Sequence, residues 1–534
     1  MLTVVLRQII GLFNLVKGNF MNTPTSFGAS TDVLGHPRGL PTLFFTEMWE
    51  RMSYYGMRAL LILFMTTAMQ DGGMGITAAN AAAIYGLYTG AVYFMGLSGG
   101  WIADRLIGSQ KAIWYGAIVI MCGHIVLAVP TEESFFVGLV LVVLGTGLLK
   151  PNISAMVGLL YKSGDPRRDA GFSIYYMGIN LGSVIGNFVC GYLAVTKGYH
   201  WAFGAAAVGM ALGLLYFRTK LDSLEGHGSE ASEPMSESGT KISWSIVSLV
   251  LAGIATVTVL GIAGIITFAP VTIAGYTAIV FTIIFFLYFG YIFFLGDLNG
   301  TEKKGMMALF LICVASTLFW SGFEQAGSSM NLFAQDHTNR MWGNFEIPTA
   351  WFQSLNSIYI IVLSPFIAAL WINLGKKVYN PTSGIKCAIG LIIMASGFLV
   401  MFSAATYAAQ GLKVAPYWLV VTYFLHSVGE LCLSPIALSA VSKLSPKRFA
   451  GQLMGVFVLT YSIGNIVAGL LATGYDPENV STLPGLYYDI AMISMVCGAV
   501  ILLLMVFVTQ KWEKEVESVA NDSADAKPTA ATAS

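Results

Sequence analysis

The sequence predicts an all-α polytopic membrane protein, with fourteen transmembrane helices arranged as two six-helix bundles and two extra helices. Composition supports this fold class, because 56% of the 534 residues are hydrophobic and only 10% are charged, and the mean hydropathy is +0.71. A soluble domain carries charge on about a quarter of its residues. Since the bilayer disfavours charge and requires backbone groups to be hydrogen-bonded internally, long apolar runs are expected to form helices.

Apolar segments long enough to cross a membrane recur fourteen times along the chain. About 20 helical residues span the roughly 30 Å of hydrocarbon in a bilayer. The segments lie near residues 41–70, 78–104, 111–129, 133–160, 169–195, 200–218, 243–265, 271–296, 305–333, 349–374, 385–408, 415–443, 449–473 and 484–509. An even number of spans places both ends of the chain on the same side.

The distribution of Lys and Arg between the loops indicates which side that is. If the N-terminus is cytoplasmic, the inside loops hold Arg105, Lys111, Lys162, Arg167, Arg168, Arg218, Lys220, Lys241, Lys303, Lys304, Lys376, Lys377, Lys386, Lys443, Lys447 and Arg448. The outside loops then hold Lys197, Arg340 and Lys413. Because cytoplasmic loops carry the excess of basic residues, both termini are predicted to be cytoplasmic.

Polar interruptions divide the chain into six regions. They are a cytoplasmic leader (1–40), an N-terminal six-helix bundle (41–220), a Ser-, Glu- and Gly-rich cytoplasmic linker (221–242), two extra helices (243–296), a C-terminal six-helix bundle (305–510) and a cytoplasmic tail expected to be disordered (511–534). Within the leader, residues 1–20 resemble neither a signal peptide nor a spanning helix, and Met21 is an alternative start. The two bundles echo each other, since Pro151 and Pro435 lie inside corresponding helices. A substrate site between such repeats is typical of transporters.

The first spanning segment contains charges that a lipid-facing helix would not carry. Glu47, Arg51, Tyr55 and Arg58 follow spacings of four, four and three, so they form one polar stripe, and Glu50 lies beside it. Lys150, Glu324 and Glu430 add three further charges at a similar depth in other helices. A structural ion pair within the bundle is the plainer alternative. Four helices that each contribute charge favour a polar cavity instead, because charge inside the membrane is costly and is usually functional.

These residues supply the two chemistries that a coupled transporter needs. Carboxyl groups can gain or lose a proton, and burial favours their neutral form whereas a nearby cation favours the charged form. A carboxylate–guanidinium pair can therefore change protonation when the cation is captured by another group. The same layout fits a zwitterion, since Arg58 and Lys150 could hold a carboxylate while Glu430 holds an ammonium group.

Metal, disulfide and nucleic-acid chemistry find little support in the sequence. The six cysteines show no CxxC spacing. His426 and Glu430 stand one helical turn apart, but no third ligand accompanies them, so packing or a hydrogen bond is the preferred interpretation. The 28 basic and 28 acidic residues cancel, which gives no global field toward nucleic acid.

Several motifs resemble the proton-dependent oligopeptide transporter (POT) family of the major facilitator superfamily. Glu47–Arg51 resembles the family's ExxER motif, and Tyr54-Tyr55-Gly56 follows it as in the family. Further matching segments are Gly99–Gly108 at the loop after the second helix, Phe172–Ser183 on the fifth helix, Phe352–Asn356 and Gly429–Pro435. The resemblance runs from about Gly35 to the last helix. It implies the major facilitator fold and, with the two extra helices, a bacterial symporter of di- and tripeptides.

The resemblance also implies roles for individual residues. Residues expected to meet the peptide carboxylate are Arg51, Tyr55, Arg58 and Lys150, and those expected to line the rest of the pocket and hold the amino end are Tyr88, Asn180, Asn356 and Glu430. Residues expected to serve proton coupling are Glu47, Glu50, Arg51 and Glu324, and the expected gate residues in the cytoplasmic loop are Asp104 and Arg105. Tyr88, Asn180 and Asn356 could alternatively be interhelical hydrogen-bonding residues. No cofactor is implied, because the proton gradient drives transport, and the partners would be peptide, protons and lipid, with a functional monomer and no nucleic acid.

Two departures from the family pattern limit what can be transferred. Gly86 stands where animal members have a proton-handling histidine, and Phe457 stands where some bacterial members have a tryptophan. A channel or a membrane enzyme is disfavoured, because the charges cluster at one depth and form no nucleophile–base pair. The main alternative lies within the same fold, namely a proton-coupled transporter of nitrate, drugs or other organic anions. The ammonium-binding role expected of Glu430 favours peptides.

Overall fold

Fourteen long helices account for most of the computed structural model, which describes residues 32–33, 35–162, 165–376 and 380–525. In chain order they are α1 (Gly39–Thr66), α2 (Ala78–Ile102), α3 (Ser109–Leu127), α4 (Glu132–Leu159), α5 (Arg168–Lys197), α6 (Tyr199–Thr219), α7 (Glu237–Ile262), α8 (Pro270–Leu295), α9 (Gly300–Phe323), α10 (Ser354–Gly375), α11 (Ser383–Ala408), α12 (Tyr417–Leu444), α13 (Ala450–Ala472) and α14 (Leu483–Leu504). Each corresponds to one apolar segment of the sequence. The predicted fold class is confirmed.

Two short hairpins accompany the helices. Strands β1 (Asp32–Val33) and β2 (His36–Pro37) pair before α1, in a unit separate from the compact unit that begins at Gly39. Strands β3 (Met341–Trp342) and β4 (Phe345–Glu346) pair in the loop that precedes α10. The interpretation of residues 1–20 and of Met21 lies outside the described residues.

Helix α1 differs in composition from the other thirteen long helices. Each of those has an 18-residue window of high mean hydropathy with at most two charged residues. In α1 the charges Glu47, Glu50, Arg51 and Arg58 are too closely spaced to leave such a window. Apart from Arg58, which is 8% exposed, all of them are at most 1% exposed. Protein therefore surrounds the charged side chains of this helix.

Helices α1–α6 form one half of the bundle and α9–α14 form the other, and glycines allow close packing within each half. Helix α5 lies against α1, where a Cβ added to Gly182 would be 2.2 Å from the Met48 carbonyl oxygen and one added to Gly186 would be 2.2 Å from that of Met52. Small residues at such contacts let helix backbones approach each other in a membrane. The halves meet along two helix pairs, α2 with α13 and α5 with α10.

Helix α9 is broken where the sequence predicted a continuous span to about residue 333. It ends at Phe323, continues as a 3₁₀ turn (Glu324–Gly327), and resumes as a short helix (Ser329–Asp336). The break occurs at Ser328, whose φ and ψ of −124° and −102° are not helical. The apolar pattern hides such a break, because the residues on both sides of it are buried.

The extra helices α7 and α8 differ in how they pack. Ser243 is the one buried residue among those described in α7. Helix α8 packs against α2 and α13 and stacks Phe281 on Phe94, with ring centroids 4.7 Å apart. Helix α7 starts at Glu237, with Ser236 accepting the Gly239 N–H at 3.2 Å as its N-cap, so the predicted linker ends about six residues too late.

The tail from residue 511 was expected to be disordered, and this expectation is wrong for residues up to 525. A π-turn (Met505–Thr509) joins α14 to a further helix, α15 (Gln510–Asp525). Glu513 is 1% exposed, and its carboxylate accepts the Thr382 hydroxyl at 3.0 Å and the Gly384 N–H at 3.1 Å. Glu513 thus caps the N-terminus of α11. The sequence of α15 alone does not predict this tertiary contact.

Candidate functional site

A buried charge cluster occupies the first half of α1. Arg51 Nε lies 3.1 Å from Glu47 Oε1 and also pairs with Glu50 Oε2. The spacing of three and four residues brings these side chains together on one side of the helix. Among the described residues, Glu50 Oε1 and Arg51 Nη2 have no hydrogen-bond partner. Two carboxyl groups thus share one guanidinium, and one bound proton would make the cluster neutral.

Aromatic rings surround the two arginines of α1. Arg51 Cζ lies 5.1 Å from the ring centroid of Tyr54 and 5.9 Å from that of Tyr55. Arg58 Cζ lies 5.8 Å from the same Tyr55 ring. Tyr55 therefore lies within cation–π distance of both guanidinium groups. Arg51 is only 1% exposed, so its guanidinium does not face an open cavity in this conformation.

Arg58 joins the two halves of the molecule. Its Nη2 pairs with Glu324 Oε2, which lies in the 3₁₀ break after α9. Its Nε donates a hydrogen bond to the Tyr85 hydroxyl at 2.6 Å. The sequence placed Arg58 with substrate and Glu324 with protons. The structure brings these two residues into one ion pair.

Lys150 faces aromatic rings that the sequence did not single out. Its Nζ lies 4.3 Å from the ring centroid of Tyr93, within cation–π distance. Tyr93 in turn stacks on Tyr461 of the other half, with centroids 5.4 Å apart. Tyr88, expected in the pocket, is 5% exposed and its hydroxyl has no partner among the described residues. Tyr93 is thus an aromatic residue of α2 that lies beside Lys150.

Glu430, in the half opposite Lys150, is held by neutral partners of its own half. Asn356 Nδ2 donates to Glu430 Oε2 at 2.9 Å and to the Ser427 hydroxyl at 3.1 Å. Asn180, on α5, donates to the Tyr176 carbonyl at 3.0 Å. The Tyr176 side chain is 42% exposed. Glu430 and Lys150 therefore present opposite charges from opposite halves.

Two of the three aromatic residues that the sequence analysis missed had usable signals. Tyr176 lies four residues before Asn180 in a quoted motif, so both share one face of α5. Tyr93 lies seven residues after Gly86, two helical turns along the face of α2 that meets α13. Tyr461 had no such signal, because only the folded structure brings α13 against α2.

The predicted gate residues contact the linker. The Asp104 carboxylate accepts the Ser232 hydroxyl at 3.1 Å, and the Glu233 N–H bonds the Asp104 carbonyl at 2.9 Å. Arg105 Nη2 lies 2.7 Å from Glu233 Oε2. The linker thus wraps the loop between α2 and α3. No contact shows these residues acting as a gate.

Polar contacts join the halves at the end where α1 terminates, which is called the outer side below because the predicted topology places it there. Besides the Arg58–Glu324 pair, Asn331 Nδ2 donates to the Ala59 carbonyl at 2.8 Å and Trp351 Nε1 donates to the Phe188 carbonyl at 3.1 Å. On the same side, a Cβ added to Gly86 would be 2.8 Å from the Gly469 Cα. The outer side is therefore closed.

Two helical halves that enclose charged side chains of both signs at membrane depth, closed at one side, define a multi-pass membrane transporter. The chain belongs to the POT family, whose model matches residues 110–483. This confirms the family that the motifs predicted. The proteins it matches are transporters rather than enzymes.

Relatives of known name are similar along nearly the whole chain. The peptide transporter YePEPT of Yersinia enterocolitica is 41% identical over 498 residues, which cover 91% of this chain and 97% of that protein. A di-/tripeptide transporter of Lactococcus lactis is 34% identical, with 81% of this chain and 88% of that protein covered. A crystal structure of a mutant peptide transporter POT in complex with alafosfalin has a TM-score of 0.82 and 38% identity, covering 90% of this chain and 96% of that one.

Proposed function

We propose that this chain is a proton-coupled symporter that imports di- and tripeptides across the bacterial cytoplasmic membrane by alternating access. Membership of the POT family and the names of the relatives support peptides as the substrate class. Both termini are proposed to be cytoplasmic, because the basic residues concentrate in the corresponding loops. The proton gradient alone would drive the cycle, without a cofactor, and a monomer holds every residue proposed below.

The observation that carries this proposal is the placement of opposite charges on opposite halves. Lys150 belongs to the N-terminal half and has no ion-pair partner among the described residues. Glu430 belongs to the C-terminal half and is held by the neutral Asn356. A peptide zwitterion would place its carboxylate at the first and its ammonium group at the second. Binding would then pull the two halves together, as alternating access requires.

The remaining site residues take roles around these two charges. Tyr55 and Arg58 would assist Lys150 in binding the substrate carboxylate. Arg51 would bind it as well only after its ion pairs with Glu47 and Glu50 break. Asn180 and Asn356 would line the amino end. Tyr93 is added at the carboxylate end, because it lies against Lys150, and Tyr88 keeps its proposed place in the rest of the pocket.

Proton coupling is proposed to act through the two arginine–carboxylate groups. A proton on Glu324 would remove its negative charge and weaken the pair with Arg58. Arg58 would then be available to the substrate carboxylate, and the closed outer side would lose its ion pair. The Glu47–Glu50–Arg51 cluster would hold a second exchangeable proton, because two carboxyl groups share one cation there.

A transporter of nitrate, drugs or other organic anions is the alternative on the same fold. An inorganic anion gains nothing from Glu430, and a charged Glu430 would repel it. The amino-end carboxylate therefore favours a zwitterionic substrate.

Competition binding with modified dipeptides tests the assignment of the two ends. Lys150→Ala should weaken binding of a free dipeptide by about ten- to a hundredfold, since a hydrogen bond to a charged group contributes roughly 1.5–3 kcal/mol. The same substitution should add little further loss for a C-terminally amidated dipeptide. Glu430→Gln should be nearly silent for an N-acetylated dipeptide. These residue–ligand cycles cancel general damage to the protein.

Lys197→Ala provides a matched control, because it removes a lysine that lies exposed at the end of α5. It should leave the affinity for all three dipeptides unchanged. Equal weakening of the free and acetylated peptides by Glu430→Gln would contradict its role at the amino end. That result would favour the organic-anion alternative.

A further inference from the structure

Tyr85 lies at the meeting point of the two halves. It belongs to α2 and is 1% exposed. Its hydroxyl accepts the Arg58 Nε–H at 2.6 Å, while Arg58 Nη2 reaches Glu324. The Arg58 Cζ lies 5.7 Å from the Tyr85 ring centroid. Tyr85 and Glu324 therefore hold two different nitrogens of the same guanidinium group.

The same hydroxyl also contacts the broken segment of α9. A Cβ added to Gly327 would lie 1.7 Å from the Tyr85 hydroxyl oxygen, so only glycine fits there. Gly327 belongs to the 3₁₀ turn that begins with Glu324. Tyr85 thus contacts Arg58 within its own half and the Glu324 turn of the other half, an arrangement that requires the outer side to be closed.

We propose that Tyr85 is a positioning residue for proton coupling, which fixes Arg58 toward Glu324 when the outer side closes. The inference rests on the proposed proton-coupled function. An arginine has five donors on a long flexible side chain, so a single carboxylate contact leaves several orientations open. The second hydrogen bond selects one of them. Protonation of Glu324 and closure of the outer side are thereby linked through one guanidinium group.

Several charged or titratable groups face Glu324 besides Tyr85. They are Arg58, Tyr54 and Tyr55 from α1, Tyr93 from α2, Lys150 from α4 and Glu430 from α12. Arg58 is the one of these that pairs directly with Glu324. Reorientation of Arg58 therefore changes the electrostatic surroundings of the Glu324 carboxyl group more than reorientation of any of the other side chains.

Tyr85→Phe tests the proposal in proteoliposomes, because it keeps the ring and removes the hydroxyl. Counterflow exchange of a labelled dipeptide, which needs no proton gradient, should stay within about twofold of wild type. Proton-driven accumulation should fall by about tenfold, the effect of one lost hydrogen bond to a charged group. Its pH profile should move to higher pH, since a carboxylate that loses its cation retains a proton more readily.

Tyr487→Phe is the matched control. Tyr487 is also fully buried, and its hydroxyl bonds the Ser329 carbonyl at 3.1 Å, beside the same break but away from Arg58. It should leave the pH profile unchanged. Gly327→Ala disrupts the other contact of Tyr85. Like Tyr85→Phe, it should reduce proton-driven accumulation and leave counterflow exchange intact.

Two results with folded Tyr85→Phe protein would overturn the inference. A wild-type pH profile with wild-type accumulation would mean that the hydroxyl has no part in coupling. Equal loss of exchange and accumulation would mean that Tyr85 is needed for substrate binding or for every step of transport, and not for proton coupling in particular. Absence of dipeptide exchange in the wild type would instead refute the proposed function itself, and this inference with it.

Discussion

Arg51 and Arg58 lie in the same helix two turns apart, yet their surroundings give them different properties. Arg51 pairs with carboxylates of its own helix, so movement of the halves does not break its contacts. Arg58 pairs with Glu324 of the other half, so its contact depends on the conformation of the whole molecule. We therefore expect the Glu47–Glu50–Arg51 cluster to bind its proposed proton in either conformation, and the Arg58–Glu324 pair to form only when the outer side is closed.

Glu50→Gln is expected to abolish proton-driven accumulation while leaving part of the peptide exchange. The substitution removes one of the two carboxyl groups that share Arg51, so the cluster no longer needs a proton to become neutral. Accumulation against a pH gradient and counterflow in its absence measure the two activities in the same vesicles.

Glu132→Gln serves as the control for this substitution. It removes an exposed carboxylate from the first turn of α4 and should leave both activities intact. A folded Glu50→Gln protein that loses exchange and accumulation to the same degree would exclude a specific coupling role.

Helix α15 shows how a polar, charged segment becomes part of the structure. Its buried Glu513 caps α11, and Glu515 Oε2 lies 2.7 Å from Lys304 Nζ at the start of α9. The tail was expected to be disordered. Tertiary contacts with two other helices instead hold the first part of α15 in place.

Glu513→Ala should destabilise the protein by about 1–3 kcal/mol, because the Thr382 hydroxyl and the Gly384 N–H lose their buried acceptor. Thermal unfolding of the purified protein in detergent measures this as a lower apparent Tm. Glu515→Ala removes a half-exposed ion pair from the same helix and should lower the Tm less. Equal effects of the two substitutions would mean that the capping contact adds no stability.

At the scale of the whole molecule, the closed outer side depends on the contact of α2 with α13. Gly86 and Gly469 face each other there, and a Cβ on Gly86 would also be 3.0 Å from the Asn465 carbonyl oxygen. Gly86 stands where animal members carry histidine, and this position has no room for a side chain while the outer side is closed. The extra helix α8 packs against the same two helices and supports this pair from the lipid side.

Gly86→Ala should shift the molecule toward an outward-open conformation. Overpacking of a close contact costs about 1–3 kcal/mol, which changes the ratio of closed to open molecules by roughly five- to a hundredfold. Spin labels at Lys197→Cys and Lys413→Cys, which lie exposed in outer loops of the two halves, should show a longer distance. The native cysteines would first be replaced.

Gly96→Ala is the matched control on the same helix, since a Cβ there meets no atom within 4 Å. It should leave the distance distribution unchanged. An unaltered distribution in Gly86→Ala would show that the α2–α13 contact does not hold the outer side closed.

The sequence alone determined the number of long apolar helices and the family, and it singled out the buried charges of α1 together with Lys150, Glu324 and Glu430. These follow from short-range properties, namely the length of apolar runs, the 3.6-residue period that aligns Glu47 with Arg51, and the cost of charge inside the membrane. The tertiary structure decided which residues of different helices meet. The pairing of Arg58 with Glu324, the placement of Tyr93 beside Lys150 and the capping of α11 by Glu513 each depend on a partner far away in the chain. No local pattern encodes such a partner, because helix packing brings it there.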